Sequence, residues 1–236
     1  MIQFYAPDIA FQNALTESES AHCVRVLRKK SGDLINVVDG IGTRYLCRIE
    51  DAHPKHTTFS IVSQEKVSFH RPYKLTIAVA PPKNSERLEW MVEKAVEIGL
   101  DKIVLLQCER SERKVMRSDR LIKVMISAMK QSLSAELPEI VEMQDFQSFV
   151  SQSDSRSQKF FGYCSDSLPR KEFVKECQPG GEVVVMIGPE GDFTPGEVKS
   201  AIANGFIPVT FGEKRLRTET AGVFTVCAVD VINKLL

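Results

Sequence analysis

The chain has 236 residues, 43% of them hydrophobic, and a formal net charge of zero. A chain of this length can form one large hydrophobic core or two modest ones. A net charge of zero excludes a protein that binds nucleic acid through its overall charge. The longest apolar runs are shorter than the roughly 18 residues that a membrane span needs, and the first residues lack a signal peptide's basic start and apolar core. We therefore expect a cytoplasmic protein without membrane contacts.

Residues 1–70 have the alternating pattern of a small β-barrel. The predicted strands are Leu34–Val38, Arg44–Ile49 and Thr57–Val62, with a glycine turn at 39–42 between the first two. That turn contains Gly-x-Gly, but Tyr45 stands where a dinucleotide fingerprint has its third glycine, so we exclude a Rossmann cofactor site there. Pro72 predicts a linker at 70–72 between two domains, residues 1–70 and 73–236.

From Tyr73 onward strands and helices alternate, which predicts an α/β domain with a largely parallel sheet. The predicted strands are Lys74–Ala80, Lys102–Gln107, Lys159–Gly162, Glu182–Ile187 and Ile207–Thr210. Apolar residues recur at helical spacing over 88–98 and 121–129. The last predicted helix, 220–236, is apolar almost all round, which indicates burial in the core or in a subunit interface.

Basic side chains cluster in two places despite the neutral total. Residues 21–30 contain four basic residues and no acid, and residues 110–123 contain six basic and two acidic residues. We predict that Arg25 and Arg28 share one face of a helix and, with Lys29, bind RNA phosphates. The second cluster would extend this surface through Arg110, Arg113 and Arg117. A purely solvated helix face is the alternative for each cluster.

Two loops follow apolar strands near the end of the chain. The first contains Gly188-Pro189-Glu190-Gly191-Asp192, and the second runs from Phe211 and Gly212 to Leu216-Arg217-Thr218-Glu219. Glycine lets each backbone turn sharply and approach a ligand, so together the loops predict a pocket. Pro189 lacks an N–H and two acids flank Gly191, which argues against a phosphate cradle. Thr218 or Thr220, with Glu219, is the predicted cap of the final helix.

These two loop sequences resemble the cofactor-binding signature of the SPOUT methyltransferases, and specifically the RsmE family. His22–Arg28 with Gly32-Asp33, and Lys83–Gly99, resemble that family's other motifs in the same order, so the resemblance covers nearly the whole chain. Asp192 departs from the family, which usually has glycine there; aspartate tolerates a positive φ at modest cost.

The resemblance implies a PUA-like barrel, a SPOUT domain with a trefoil knot, a homodimer, and methylation of N3 of a uridine in 16S ribosomal RNA or the small ribosomal subunit. The implied cofactor is S-adenosylmethionine. The predicted cofactor-binding residues are Ile187, Gly188, Pro189, Glu190, Gly191, Phe211, Gly212, Leu216, Arg217 and Thr218.

Methyl transfer to a ring nitrogen depends mainly on positioning and charge stabilisation. The uridine must lose a proton, so we predict Arg217 and Glu219 as catalytic residues; an ion pair of Arg217 with Glu219 or Glu190 is the structural alternative. The six cysteines are dispersed and His53-x-x-His56 is weak metal evidence, so no metal is expected. Rival functions are another SPOUT activity and a catalytically silent RNA-binding assembly factor.

Overall fold

The computed structural model describes residues 2–67, 71–165 and 167–235. The chain divides into two compact units, Met1–His70 with Ile126–Leu137, and Arg71–Met125 with Pro138–Leu236. The predicted domains, 1–70 and 73–236, and the roles given to them stay predictions. The first residue of the predicted linker, His70, lies outside the described residues.

A four-stranded sheet forms the first unit. Its strands are β1 (Gln3–Tyr5), β2 (Leu34–Val38), β3 (Thr43–Asp51) and β4 (Thr58–Lys66), in the order β1-β2-β3-β4. β1 runs parallel to β2, and the other pairs are antiparallel. Alternate residues, including Phe4, Val37, Cys47 and Phe59, are buried in one apolar core. β1, with three residues, is too short for a periodic signal in the sequence.

Helix α1 (Glu17–Ala21) begins at Thr16, whose hydroxyl accepts from the amide of Glu19, and continues as a π-helical turn over His22–Val26. The prediction that Arg25 and Arg28 share a helix face is wrong. The helix ends before Arg28, which has a left-handed φ of 54°. The amide of Lys29 donates to Cys23 O at 3.1 Å across this reversal, which directs the chain away from the helix axis.

Residues 126–137 group with the first unit because side chains and amides of the sheet bind their backbone. Gln3 Nε2 donates to Ser134 O at 2.6 Å, and Arg44 Nη2 donates to Leu133 O at 2.8 Å. Lys130 Nζ lies 2.6 Å from Glu19 Oε1 in a half-buried ion pair. These partners are about 90 residues or more apart, so no local sequence pattern indicates them.

A seven-stranded parallel sheet forms the second unit, in the order β7-β6-β5-β10-β8-β11-β9. The strands are β5 (Tyr73–Val79), β6 (Lys102–Gln107), β7 (Glu139–Asp145), β8 (Gln158–Gly162), β9 (Lys171–Glu172), β10 (Gly181–Ile187) and β11 (Ile207–Thr210). The helices that follow β5 along the chain are α2 (Ser85–Ile98), α3 (Asp119–Gln131), α4 (Phe146–Gln152), α5 (Phe173–Glu176), α6 (Pro195–Ala203) and α7 (Thr218–Lys234). The predicted fold class, α/β with an N-terminal β-rich unit, is confirmed. The knot remains an implication of the resemblance.

The predicted strands β6 and β11 have the observed bounds, and β5, β8 and β10 are displaced by one residue at one or both ends. β7 and β9 were not predicted. β7 carries exposed Glu139 and Glu142 and half-buried Gln144 among its apolar residues, and β9 has only two residues at the sheet edge, so neither shows an apolar run.

The final helix, α7, begins at Thr218, and its cap position is Arg217, which makes no side-chain capping bond. The predicted cap by Thr218 or Thr220 is therefore wrong. Thr218 Oγ1 instead donates to Gly188 O at 3.4 Å. One side of α7 is buried against α2 and the sheet, while Cys227 and Val231 are exposed. Among the described residues, no helix has both the length and the apolar character to cross a membrane.

Candidate active site

A cavity of about 620 Å³ lies at the carboxyl ends of β10, β8 and β11. Both loops that the sequence singles out line it, but their strands are not neighbours, because β8 lies between β10 and β11. The loop after β8 therefore enters the site as well. Sequence reasoning missed its lining residues Gly162, Tyr163, Cys164 and Arg170, and gave Arg87 of α2 no role at the pocket. A short apolar strand followed by polar residues is the only local signal for this third loop.

The first loop is a tight turn whose shape depends on Asp192. The amide of Asp192 donates to Pro189 O at 2.9 Å, and the residue has a φ of 60°. Its carboxylate accepts from the amide of Cys164 at 3.0 Å and from the amide of Phe193 at 2.9 Å. The side chain that a glycine would lack thus ties the first loop to the loop after β8.

Every carbonyl of residues 188–191 accepts a hydrogen bond from the protein. The donors are Thr218 Oγ1 to Gly188, the Asp192 amide to Pro189, Arg215 Nη2 to Glu190 and Arg110 Nη1 to Gly191. In contrast, the amides of Gly188 and Glu190, two residues that line the cavity, have no acceptor in the described part of the chain. The loop can therefore offer hydrogen-bond donors to a ligand.

Glu190 and Asp192 were predicted to repel an anion from this loop. Glu190 Oε1 accepts from the amide of Lys83 at 3.1 Å, so both carboxylates have backbone amides as partners. They act as acceptors for neighbouring loops as well as charges beside the cavity.

The second loop depends on a close aromatic contact. A Cβ on Gly162 would lie 2.5 Å from Phe211 Cε2, so only glycine lets the Phe211 ring reach its place. The ring also packs against Phe173 and Phe224, with centroid separations of 5.6 and 5.7 Å. Gly212 has a φ of 147°, a region that L side chains rarely adopt.

Arg217 and Glu219, the predicted catalytic pair, both line the cavity. The alternative in which Arg217 pairs with Glu219 or Glu190 is wrong: Glu219 Oε1 faces Arg87 Nε at 3.8 Å, and Glu190 faces the Lys83 amide. Within residues 71–165 and 167–235, no hydrogen bond or ion pair engages the Arg217 side chain. Its guanidinium is exposed at the cavity and available to an anionic group.

The basic residues 110–117 have different surroundings. Arg110 Nη1 donates to Gly191 O and Arg113 Nη2 donates to Lys83 O, each at 2.8 Å. Arg117 is exposed and has no partner among the described residues. Two of the three arginines of this segment that were predicted to bind RNA thus donate to backbone carbonyls of the protein.

All six cysteines are free thiols. Burial, followed by the nearby Asp192 charge, raises the pKa of Cys164, and burial raises the pKa of Cys47 to about 12. These thiols therefore stay protonated at neutral pH, which does not favour a thiolate nucleophile in the cavity. The described ranges contain no group of three or more His, Cys, Asp or Glu residues that could hold a metal ion.

Comparison with known proteins agrees with this geometry. A family model described as an RNA methyltransferase domain matches residues 70–230, and one described as an RNA methyltransferase PUA domain matches residues 15–62. The chain belongs to the RNA methyltransferase family. Its cavity lies within the part that the first of these models matches.

Solved structures of similar proteins cover nearly the whole chain. A probable rRNA-methyltransferase from Porphyromonas gingivalis is 39% identical, with a TM-score of 0.95 and coverage of 100% of this chain and 99% of that one. A Legionella pneumophila protein solved with bound S-adenosylmethionine is 25% identical, with a TM-score of 0.86 and coverage of 99% and 98%. The curated ribosomal RNA small subunit methyltransferase E of Bacillus subtilis is 24% identical over 234 residues, 94% of this chain and 91% of that protein. The predicted family and enzyme class, an S-adenosylmethionine-dependent rRNA methyltransferase, are confirmed.

Asp192 gives a test of the first loop. Asp192→Ala removes the acceptor for two amides while keeping a Cβ at positive φ, so we expect the free energy of unfolding to fall by about 2 kcal/mol. Asp192→Gly also loses the acceptor but relieves the backbone, so it should be about 1 kcal/mol more stable than the alanine variant. Urea unfolding measures both; an alanine variant as stable as the glycine variant would contradict the left-handed conformation.

Proposed function

We propose that the protein transfers the methyl group of S-adenosylmethionine to N3 of a uridine in the 16S RNA of the small ribosomal subunit. The observation that carries the proposal is the loop at 188–191, whose carbonyls are all engaged while two cavity-lining amides are free. The curated Bacillus subtilis relative, named as a small-subunit rRNA methyltransferase, supports the substrate. The uridine position rests on the motifs shared with the RsmE family.

The cavity suits S-adenosylmethionine by its hydrogen-bonding groups and by its charge. Free amides at Gly188 and Glu190 match acceptor atoms of the ligand, such as carboxylate oxygens or ring nitrogens. Both signs of charge surround the cavity, which suits a ligand with sulfonium, ammonium and carboxylate groups; the charged lining residues are Arg87, Arg170, Glu190, Asp192, Glu213, Lys214, Arg215, Arg217 and Glu219. We assign cofactor binding to Ile187–Gly191, Phe211, Gly212 and Leu216–Thr218.

When bound, the cofactor supplies a methyl group for displacement at carbon, in which N3 of the uridine gains the bond that sulfur loses. The uridine imide is a good nucleophile only after it loses its proton, and negative charge then spreads to its two carbonyl oxygens. Arg217, with no partner in the described chain, is our candidate for stabilising that charge. Glu219, half-buried and 3.8 Å from Arg87, is our candidate for accepting the proton or for orienting Arg87.

We further propose that Arg25, Arg28 and Lys29 contact RNA phosphates. Arg25 and Arg28 are exposed, and Lys29 Nζ reaches Leu34 O at 3.4 Å. Although the two arginines do not share a helix face, both side chains are exposed and can contact a phosphate.

We also propose that the protein acts in the cytoplasm, where ribosomal subunits are assembled.

The proposed homodimer accounts for the apolar residues that remain exposed on the packed helices α2 and α7. Trp90 is 46% exposed and Val231 is 51% exposed. We expect the wild-type protein to sediment as a dimer and Val231→Asp to shift it towards monomer, because a buried charge without a partner opposes association. A wild-type monomer in analytical ultracentrifugation would contradict the dimer.

The catalytic assignment is tested with labelled cofactor and small-subunit RNA. Arg217→Gln should lower kcat at saturating cofactor by about 100-fold, as expected when one donor to a developing oxyanion is lost, and Arg217→Lys should recover part of the rate. Lys199→Gln, which removes an exposed lysine of α6 outside the cavity, is the matched charge control. Mass mapping of the product locates the methyl group; a kcat equal to wild type in Arg217→Gln would remove Arg217 from catalysis.

The RNA assignment is tested by salt dependence. Replacing both Arg25 and Arg28 by serine should weaken RNA binding. It should also reduce the slope of the logarithm of the RNA association constant against log salt by about 1 to 2, because fewer counterions are released when fewer phosphate contacts form. Lys55→Ser removes an exposed lysine of the same unit as a control. If the double variant keeps the wild-type slope, the two arginines are ordinary surface residues.

A further inference from the structure

Two arginines from separate loops hold adjacent carbonyls of the proposed cofactor loop. Arg110, which follows β6, donates from Nη1 to Gly191 O at 2.8 Å. Arg215, which follows β11, donates from Nη2 to Glu190 O at 3.3 Å. Arg110 also lies flat against the loop, since a Cβ on Gly191 would be 3.4 Å from Arg110 Cβ and Cδ. Charged donors make stronger hydrogen bonds than neutral ones, so these contacts restrict the loop.

The bond from Arg110 is linked to the cavity through peptide planes. A trans peptide unit is rigid, so fixing Gly191 O also fixes the N–H of Asp192. That N–H donates to Pro189 O at 2.9 Å, and Pro189 O shares its peptide plane with the N–H of Glu190. The Glu190 N–H is one of the two free amides that the cavity-lining residues 188–190 offer within the described chain. Arg110 therefore acts on a free amide of a cavity-lining residue through two rigid peptide units and one hydrogen bond.

We propose that Arg110 is a positioning residue for the cofactor, with Arg215 as its second support, and that its main role is not RNA binding. The inference rests on the proposed function, in which residues 188–191 bind S-adenosylmethionine. A loop held in its binding conformation loses less conformational entropy when the cofactor arrives, so affinity for the cofactor is higher. Arg117 differs: it belongs to the same basic segment but has no partner within the described residues.

The matched variants are Arg110→Ala, Arg110→Lys and Arg117→Ala, measured by calorimetry with S-adenosylmethionine in the absence of RNA. We expect Arg110→Ala to raise the Kd for the cofactor about fivefold, because the variant loses one exposed hydrogen bond from a charged donor. Arg110→Lys, which keeps the charge without the planar fork, should lie between wild type and alanine. Arg117→Ala should bind the cofactor as wild type does and bind RNA more weakly.

Kinetics distinguish positioning from a merely structural role. In Arg110→Ala, KM for the cofactor should rise while kcat and the affinity for RNA stay within about twofold of wild type. Adding Arg215→Ala should raise the Kd further. A wild-type cofactor Kd in Arg110→Ala, or a loss confined to RNA affinity, would overturn the inference. Arg110 is exposed, so we expect the variants to fold as the wild type does. Thermal unfolding of the same samples checks their folded fraction.

Gly188→Val separates failure of this inference from failure of the proposed site. The Cβ of a side chain at position 188 would lie 3.1 Å from the buried Phe193 ring, so valine would displace the loop that lines the cavity and cofactor binding should be lost. If Gly188→Val binds the cofactor as wild type does, the proposed site is wrong and the inference falls with it. If Gly188→Val loses the cofactor while Arg110→Ala binds normally, the inference alone is overturned.

Discussion

The conformation of the first cavity loop depends on how its four carbonyls are satisfied. Donors from α7, from the turn itself, and from the loops after β6 and β11 occupy the carbonyls of residues 188–191. A short loop with glycine and proline has little regular structure, so the one bond within the turn and the three from other elements together fix its shape. The consequence is chemical: acceptors are used inside the protein, and the donors that remain are available to a ligand.

Sheet order supplies the second constraint. Because β8 lies between β10 and β11, one strand separates the two glycine loops, and the loop after β8 joins them. Asp192 makes this arrangement rigid, since its carboxylate binds the amide of Cys164 in that third loop. The contact between Gly162 and Phe211 does the same on the other side of β8. Ligands in parallel α/β sheets bind at this carboxyl edge, so the cavity lies where the fold favours a site.

Charge around the cavity is divided between structural and available groups. Arg110, Arg113 and Arg215 donate to backbone carbonyls, and Arg87 faces Glu219. Arg217, at the start of α7, is left without a partner among the residues that the structure describes. A count of basic residues along the chain would treat these arginines as equal. Their hydrogen bonds show that only some can meet a substrate without giving up a contact within the protein.

The sequence alone determined the α/β class, most strands of both sheets, and the two glycine loops, because those features follow from local periodicity and from the backbone freedom of glycine. It also indicated that position 192 tolerates a positive φ. Only the tertiary structure decided that β8 separates the two loop strands, that Arg28 lies beyond its helix, and that Thr218 binds Gly188 O instead of capping α7. Hydrogen bonds between residues about 30 to 130 positions apart leave no local pattern in the sequence. They depend on the order of the strands in the sheet and not on the residues adjacent to each partner in the chain.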